Sequence, residues 1–148
     1  MDWTKRKRNY YKHNLVDEWK ERGVKEGKDY AILTNEIYKL GFGVSAKEYK
    51  KIKGLHDSQN LRDSMSNIEL ALTNLGEVTA AEFHRKNGSK GMRELNSDMN
   101  KAVNVLNKAK QEIENELERL VITSDNYGEL TQSKEFIENK LDIYMNFI

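Results

Sequence analysis

The sequence predicts an all-α fold: one compact multi-helix domain over residues 1–148, with a helical elbow around 60–82 and one long amphipathic helix around 92–120. Three observations lead there. Proline is absent, so no helix is interrupted by a missing amide donor or a ring clash. Ser/Thr-x-x-Glu boxes recur at Ser45–Glu48, Ser66–Glu69 and Thr79–Glu82. In such a box the hydroxyl accepts from the third helical amide while the carboxylate reaches back to the cap amide. Apolar residues also return at steps of three and four, and 37% apolar against 33% charged residues suits helices with one buried stripe and a wide solvated face.

The elements follow in order. Tyr11, Leu15 and Trp19 predict a first helix from about Asn9 to Arg22, and Gly23 and Gly27 bracket a polar connection. Asp29 is placed to cap a second helix with Ile32, Leu33, Ile37 and Leu40 on its apolar side, ended by Gly41, after which Phe42 and Val44 fall in a turn. Ser45 starts a short helix with Tyr49 and Ile52 inward, and Gly54 stops it. In the elbow, Ser66 and Thr79 each start a helix, and Gly76 permits a left-handed stop between them. The second of these helices ends at the turn dipeptide Asn87-Gly88.

The longest periodic element comes next. Leu95, Met99, Ala102, Leu106, Ala109, Ile113, Leu117 and Leu120 make its stripe, which is expected to pack on the shorter helices and to pair with a second copy as a homodimer. Glu112, Glu114, Glu116 and Glu118 are expected to face mainly outward. Ser124-Asp125-Asn126 reads as a turn, and a final amphipathic helix carries Leu130, Phe136, Ile137, Leu141, Tyr144 and Ile148.

Chemistry is scarce along this chain. The absence of cysteine removes disulfides, thiolate nucleophiles and cysteine-ligated zinc. His13, His56 and His84 are scattered on different elements, outside any helical metal spacing, and read as surface residues. No serine stands in a Gly-x-Ser-x-Gly elbow and no Gly-rich phosphate loop occurs. The expectation is a protein that is not an enzyme and needs no cofactor or metal. No run reaches the length of a membrane span, and the basic start is not followed by an apolar signal core, so a cytoplasmic location without membrane contact is expected, with nucleoid association as an option within it.

The formal net charge of +1 hides an asymmetry. Residues 1–53 carry 14 Lys and Arg against 8 Asp and Glu, and the remainder carries 11 against 16. Lys5, Arg6, Lys7 and Arg8 are the densest positive run, flanked by Trp3, Tyr10 and Tyr11. Such a basic arm suits electrostatic contact with a partner or with DNA, because cations neutralise phosphates and aromatic rings stack on unpaired bases. Arg62 and Asp63 stand at the mouth of the elbow. A lone arginine there bridges helix ends, through a carboxylate such as Asp63 or through terminal carbonyls; its functional alternative is a phosphate or partner-protein contact.

The segment Gly41-Phe42-Gly43-Val44-Ser45-Ala46-Lys47-Glu48-Tyr49-Lys50 and the run Asn60-Leu61-Arg62-Asp63-Ser64-Met65-Ser66 with Glu69-Leu70 carry a resemblance. So do Leu75-Gly76-Glu77 with Thr79 and Glu82, and the turn Gly88-Ser89-Lys90-Gly91. From about Tyr30 to Tyr127 the chain resembles the bacterial DNA-damage-inducible protein D family, with a more distant likeness to the C-terminal region of KilA-N and BRO-type phage regulators. The resemblance implies a non-enzymatic regulator from a bacterium or phage that modulates the recombinase filament of the SOS response or acts as an antirepressor. Its implied partner is a host or phage DNA-processing protein; Arg62 and Asp63 of the elbow are the candidate contacts within the resemblance, and Lys5, Arg6, Lys7 and Arg8, by their charge, the candidates outside it. Direct nucleic-acid binding by the arm, and inhibition of a host immunity protein, are the rival readings. Where the family has a basic, glycine-rich stretch, this chain has an Asn-rich helix, Asn96 to Asn107, with little positive charge, which argues against DNA contact there.

Overall fold

A computed structural model describes residues 9–128, and every regular element within that span is helical. Helix α1 (Tyr10–Glu21) is followed by α2 (Gly27–Glu36), which widens into a π-helical turn at Ile37–Phe42. Helix α3 (Ala46–Ile52) leads through a 3-10 turn (Leu61–Ser64) into the two long helices, α4 (Asn67–Asn87) and α5 (Gly91–Leu117). Helices α4 and α5 form an antiparallel hairpin that is the main packing interface, with α1 laid on α4 and the π turn on α5. Leu15, Trp19, Leu33, Ile37, Leu72, Ala80, Leu95, Met99, Ala102 and Leu106 fill the core between them.

Local chemistry explains where most of these elements begin and end. Both reciprocal capping boxes form, at Ser45–Glu48 before α3 and at Ser66–Glu69 before α4. Gly88 closes α4 in the left-handed conformation (φ +59°), as its place after Asn87 predicts. The Asn60 side chain accepts from the Arg62 amide at 2.9 Å and starts the 3-10 turn.

The elbow differs from expectation. Helix α4 runs unbroken through Gly76 and Thr79, so the second box starts no helix, and the chain changes direction earlier, at the 3-10 turn. Gly76 is no left-handed stop. A Cβ built there would lie 2.7 Å from Leu106 Cδ1, and one built on Gly41 would lie 3.0 Å from Leu106 Cδ2. The two glycines form a slot that admits Leu106, which is fully buried. Close approach of helices, and not backbone freedom, is the reason for glycine at 76.

Smaller corrections have similar causes. Glu26, not Asp29, is the residue before α2, and Asp29 lies in the first turn, where a carboxylate meets the positive end of the helix dipole. The helix also continues past Gly41, because the wider π turn carries Tyr38 and Phe42 inward, where both rings pack near Tyr49. Gly43 (φ +81°) then ends it. Ile32 and Leu40 are consequently about half exposed, and Ile52 is also partly exposed. The apolar stripe of α5 is buried from Leu95 to Leu106, half-buried at Ala109 and Ile113, and open at Leu117 (50% exposed). Leu120 (70% exposed), expected in the same helix, lies beyond its end at Leu117. The last turns of α5 therefore overhang the bundle, and Val121 brings the chain back to the core. The final helix expected beyond residue 129 lies outside the described residues.

The glycine slot gives a test. In an exposed helix interior, Gly→Ala stabilises by about 1 kcal/mol. Gly76→Ala should instead destabilise by about 1–3 kcal/mol, since Leu106 must move within a packed core. Adding Leu106→Val should recover part of that loss in chemical denaturation; stabilisation by Gly76→Ala alone would contradict the slot.

Candidate interaction site

The inward face of α4 carries an unusual load. Glu69, Thr73, Glu77, Ala80 and His84 recur at steps of four and three, so they share one side of the helix, and all are buried. Two carboxylates and an imidazole on a buried stripe demand partners, because an unpaired buried charge costs several kcal/mol. Each receives its partners from a different segment.

At the N-terminal end, Glu69 accepts from Lys53 Nζ at 2.7 Å, from the Tyr49 hydroxyl and from the Ser66 amide at 3.1 Å. Lys53 also donates to the Asp125 carbonyl at 2.7 Å and lies 5.3 Å from the Tyr127 ring centre, tying the chain after α5 to this cluster. Burial, reinforced by the Glu69 carboxylate, pushes the Tyr49 hydroxyl far above its ordinary range, so it stays protonated and donates to Glu69.

In the middle, Glu77 pairs with Arg62, and both side chains are 2% exposed. Arg62 also reaches Asn74 Oδ1 at 3.5 Å. Burial pushes Glu77 above the ordinary carboxylate value, opposed by Arg62 and Lys12. Tyr38 is raised as well, chiefly by burial.

At the C-terminal end, Trp19 Nε1 donates to His84 Nε2 at 3.1 Å, which leaves the ring proton on Nδ1 to be donated to Asp98 Oδ2 at 2.9 Å. Asp98 further accepts from Ser89 Oγ (2.5 Å) and Asn87 Nδ2 (2.8 Å). Nearby, Arg22 donates to the Ser89 carbonyl at 3.1 Å and the Gly91 amide donates to the Arg22 carbonyl at 2.9 Å, binding the end of α1 to the α4–α5 turn.

These placements sort the residues singled out from the sequence. Arg62 is inside the bundle and bridges the elbow through a carboxylate, the structural role expected of it, and that carboxylate is Glu77. Asp63 is half-buried beside Gly128. His84, read as a surface residue, is fully buried, whereas His13 and His56 are exposed. Lys53, counted with the basic front, is buried in an ion pair. Lys5, Arg6, Lys7 and Arg8 lie outside the described residues. Sequence reasoning missed Glu69, Glu77, His84 and Asp98; the signal for the first three was the polar series at 69, 73, 77 and 84 on one face of α4.

Outside the bundle, Val16, Tyr30, Ala31, Ile32 and Ala46 line an open apolar groove of about 840 Å³ between α1, α2 and the start of α3. Lys12 and Lys47 stand on its border. Burial and the neighbouring Arg62 hold Lys12 below the ordinary lysine value. An apolar floor with a cationic border can receive an apolar segment that carries acidic residues. Among the described residues no cluster of three His, Cys, Asp or Glu side chains could hold a metal, and no helix is long and apolar enough to cross a membrane.

The model of the DinD C-terminal domain family matches residues 5–124, and so takes in every buried pair described above. No curated protein and no solved structure matches the chain.

The His84 cluster should make stability depend on pH. Burial holds His84 below the ordinary histidine value against the opposing pull of Asp98. Burial would raise Asp98, but its bonds from Ser89, His84 and Asn87 outweigh that and hold it low. Both folded values lie below the unfolded ones, so the unfolded chain binds more protons and stability falls on acidification. For His84 the loss begins as pH drops through about 6.5, and for Asp98 near 4. The stability difference between the wild type and His84→Gln should therefore narrow from pH 7.5 to 5, while Glu77, whose raised value acts in the opposite sense, contributes alike to both. An equal slope in the variant would contradict the assignment.

Proposed function

The chain belongs to the DinD C-terminal domain family, whose members are DNA-damage-inducible proteins, and from that membership we propose a non-enzymatic interaction module that acts on a DNA-transaction protein. The observation that carries this reading is the division of the polar residues. The charged groups of the family-like motifs, Arg62, Glu69 and Glu77, are engaged in holding helices together, which leaves the exterior for contact. The most receptive part of that exterior is the groove of Val16, Tyr30 and Ile32 with Lys12 and Lys47 on its border. Its location on the basic half of the chain agrees with electrostatic attraction to an acidic partner segment.

The partner we propose is the recombinase filament on single-stranded DNA, a regulated assembly whose disassembly or stabilisation needs no catalysis by this chain. An antirepressor, which would bind a repressor instead, is a second form of the same reading. The direct test uses a purified bacterial recombinase assembled on a fluorescent single strand. The 148-residue chain should change filament lifetime at least several-fold, and Ile32→Glu, which places a carboxylate on the groove floor, should abolish that effect while leaving the thermal midpoint unchanged. A filament indifferent to the wild-type chain would remove the recombinase as partner. Retention of the full effect in Ile32→Glu would remove the groove.

A further inference from the structure

The outer face of α5 has a composition unlike the rest of the surface. Arg93, Ser97, Asn100, Asn104 and Lys108 follow one another at steps of four, three, four and four, with Lys101 alongside, and all six are exposed. A 3.6-residue period places them on one stripe about 22 Å long. In sequence, the Asn-rich stretch is nearly neutral because Asp98 offsets Lys101. The fold takes the Asp98 carboxylate off the exposed face, turning it inward to His84, Ser89 and Asn87 with its charge retained. The other acid of this stretch, Glu94, accepts from the Lys90 amide at 2.7 Å. Among the described residues, none of Lys90, Arg93, Lys101 and Lys108 is in an ion pair.

The stripe thus offers cations outside any ion pair flanking neutral amides and a hydroxyl on a rigid helix, with Glu94 beside Arg93 and Lys101 and with Leu40 and Val103 beside Asn100 and Asn104. That chemistry matches duplex DNA better than a protein surface. Phosphates attract the cations, and asparagine side chains can pair bidentately with the N6/N7 edge of adenine in a major groove wide enough for a helix. A-form RNA has too narrow a major groove, and the stripe lacks the aromatic rings on which single strands stack. Beyond Lys108 the helix becomes acidic at Glu112 and Glu116, both exposed, which bounds the contact to the first two-thirds of α5.

We propose that the Arg93–Lys108 face of α5 binds duplex DNA, with Arg93, Lys101 and Lys108 on phosphates and Asn100 and Asn104 against base edges. The proposal does not rest on the recombinase reading and stands or falls separately from it.

The test is fluorescence anisotropy of the 148-residue chain with fluorescein-labelled 24-base-pair duplexes of varied sequence. Four phosphate contacts, counting Lys90, predict an affinity loss of about 100-fold between 50 and 200 mM salt. The variant R93A/K101A/K108A should lower the log–log salt slope by about three and weaken binding to every duplex. N100A/N104A should keep the salt slope but narrow the spread of affinities among duplexes. All five substituted positions are exposed, so unchanged circular dichroism and thermal midpoint are expected as the folding control. A chain with its arm neutralised, K5Q/R6Q/K7Q/R8Q, should still bind. Absence of duplex binding at 50 mM salt would overturn the proposal. So would a single strand that binds as tightly as the duplex, or binding that survives the α5 variant and disappears with the arm.

Discussion

The whole fold depends on one constraint, that the inward face of α4 carries groups which cannot be buried alone. Glu69, Glu77 and His84 stand two helical turns apart on the same side, and each is covered. A carboxylate removed from water requires a cation or several donors, and the attraction roughly offsets the desolvation it demands. Such pairs therefore contribute less by net attraction than by fixing which segment lies against which part of α4. Lys53 brings the end of α3, Arg62 brings the 3-10 turn, Trp19 brings α1, and Asp98 brings the first turns of α5. With all four in place, Glu69, Glu77 and His84 each have a partner from another segment.

Apolar packing then closes what the polar stripe aligns. Leu106 enters the slot between Gly41 and Gly76, which sets how near α5 and the π turn come to α4. The same packing uses only half of α5, leaving its outer stripe and its overhanging end open. The contacts we propose lie on surfaces that the core does not consume: the groove over α1 and α2, and the outer face of α5.

Much of this organisation was legible before any coordinates. The boxes at Ser45 and Ser66, the stop at Gly88 and the stripe from Leu95 to Leu106 are local signals, and the structure uses each as written. What misled were residues whose meaning is tertiary. Gly76 has the chemistry of a helix stop, and only the position of Leu106, thirty residues later, shows that it is a contact glycine. Thr79 and Glu82 have the form of a cap but lie mid-helix, since a box cannot end a helix that packing sustains. Arg62 could be assigned a structural role from its setting, yet its partner Glu77 is fifteen residues away and Asp63 is adjacent. His84 gave no local sign, because its environment is assembled from Trp19 and Asp98 on two other helices.

The central claim, that the family-like charges are the internal frame of the domain, is tested most directly by a double-mutant cycle between Arg62 and Glu77. Unfolding free energies of the wild type, Arg62→Met, Glu77→Leu and the double variant complete it. Each single change leaves a buried charge without its partner and should cost about 3–5 kcal/mol, whereas the double change should cost far less than their sum. Single variants as stable as the wild type, or costs that simply add, would contradict the account and return Arg62 to the residues available for a partner.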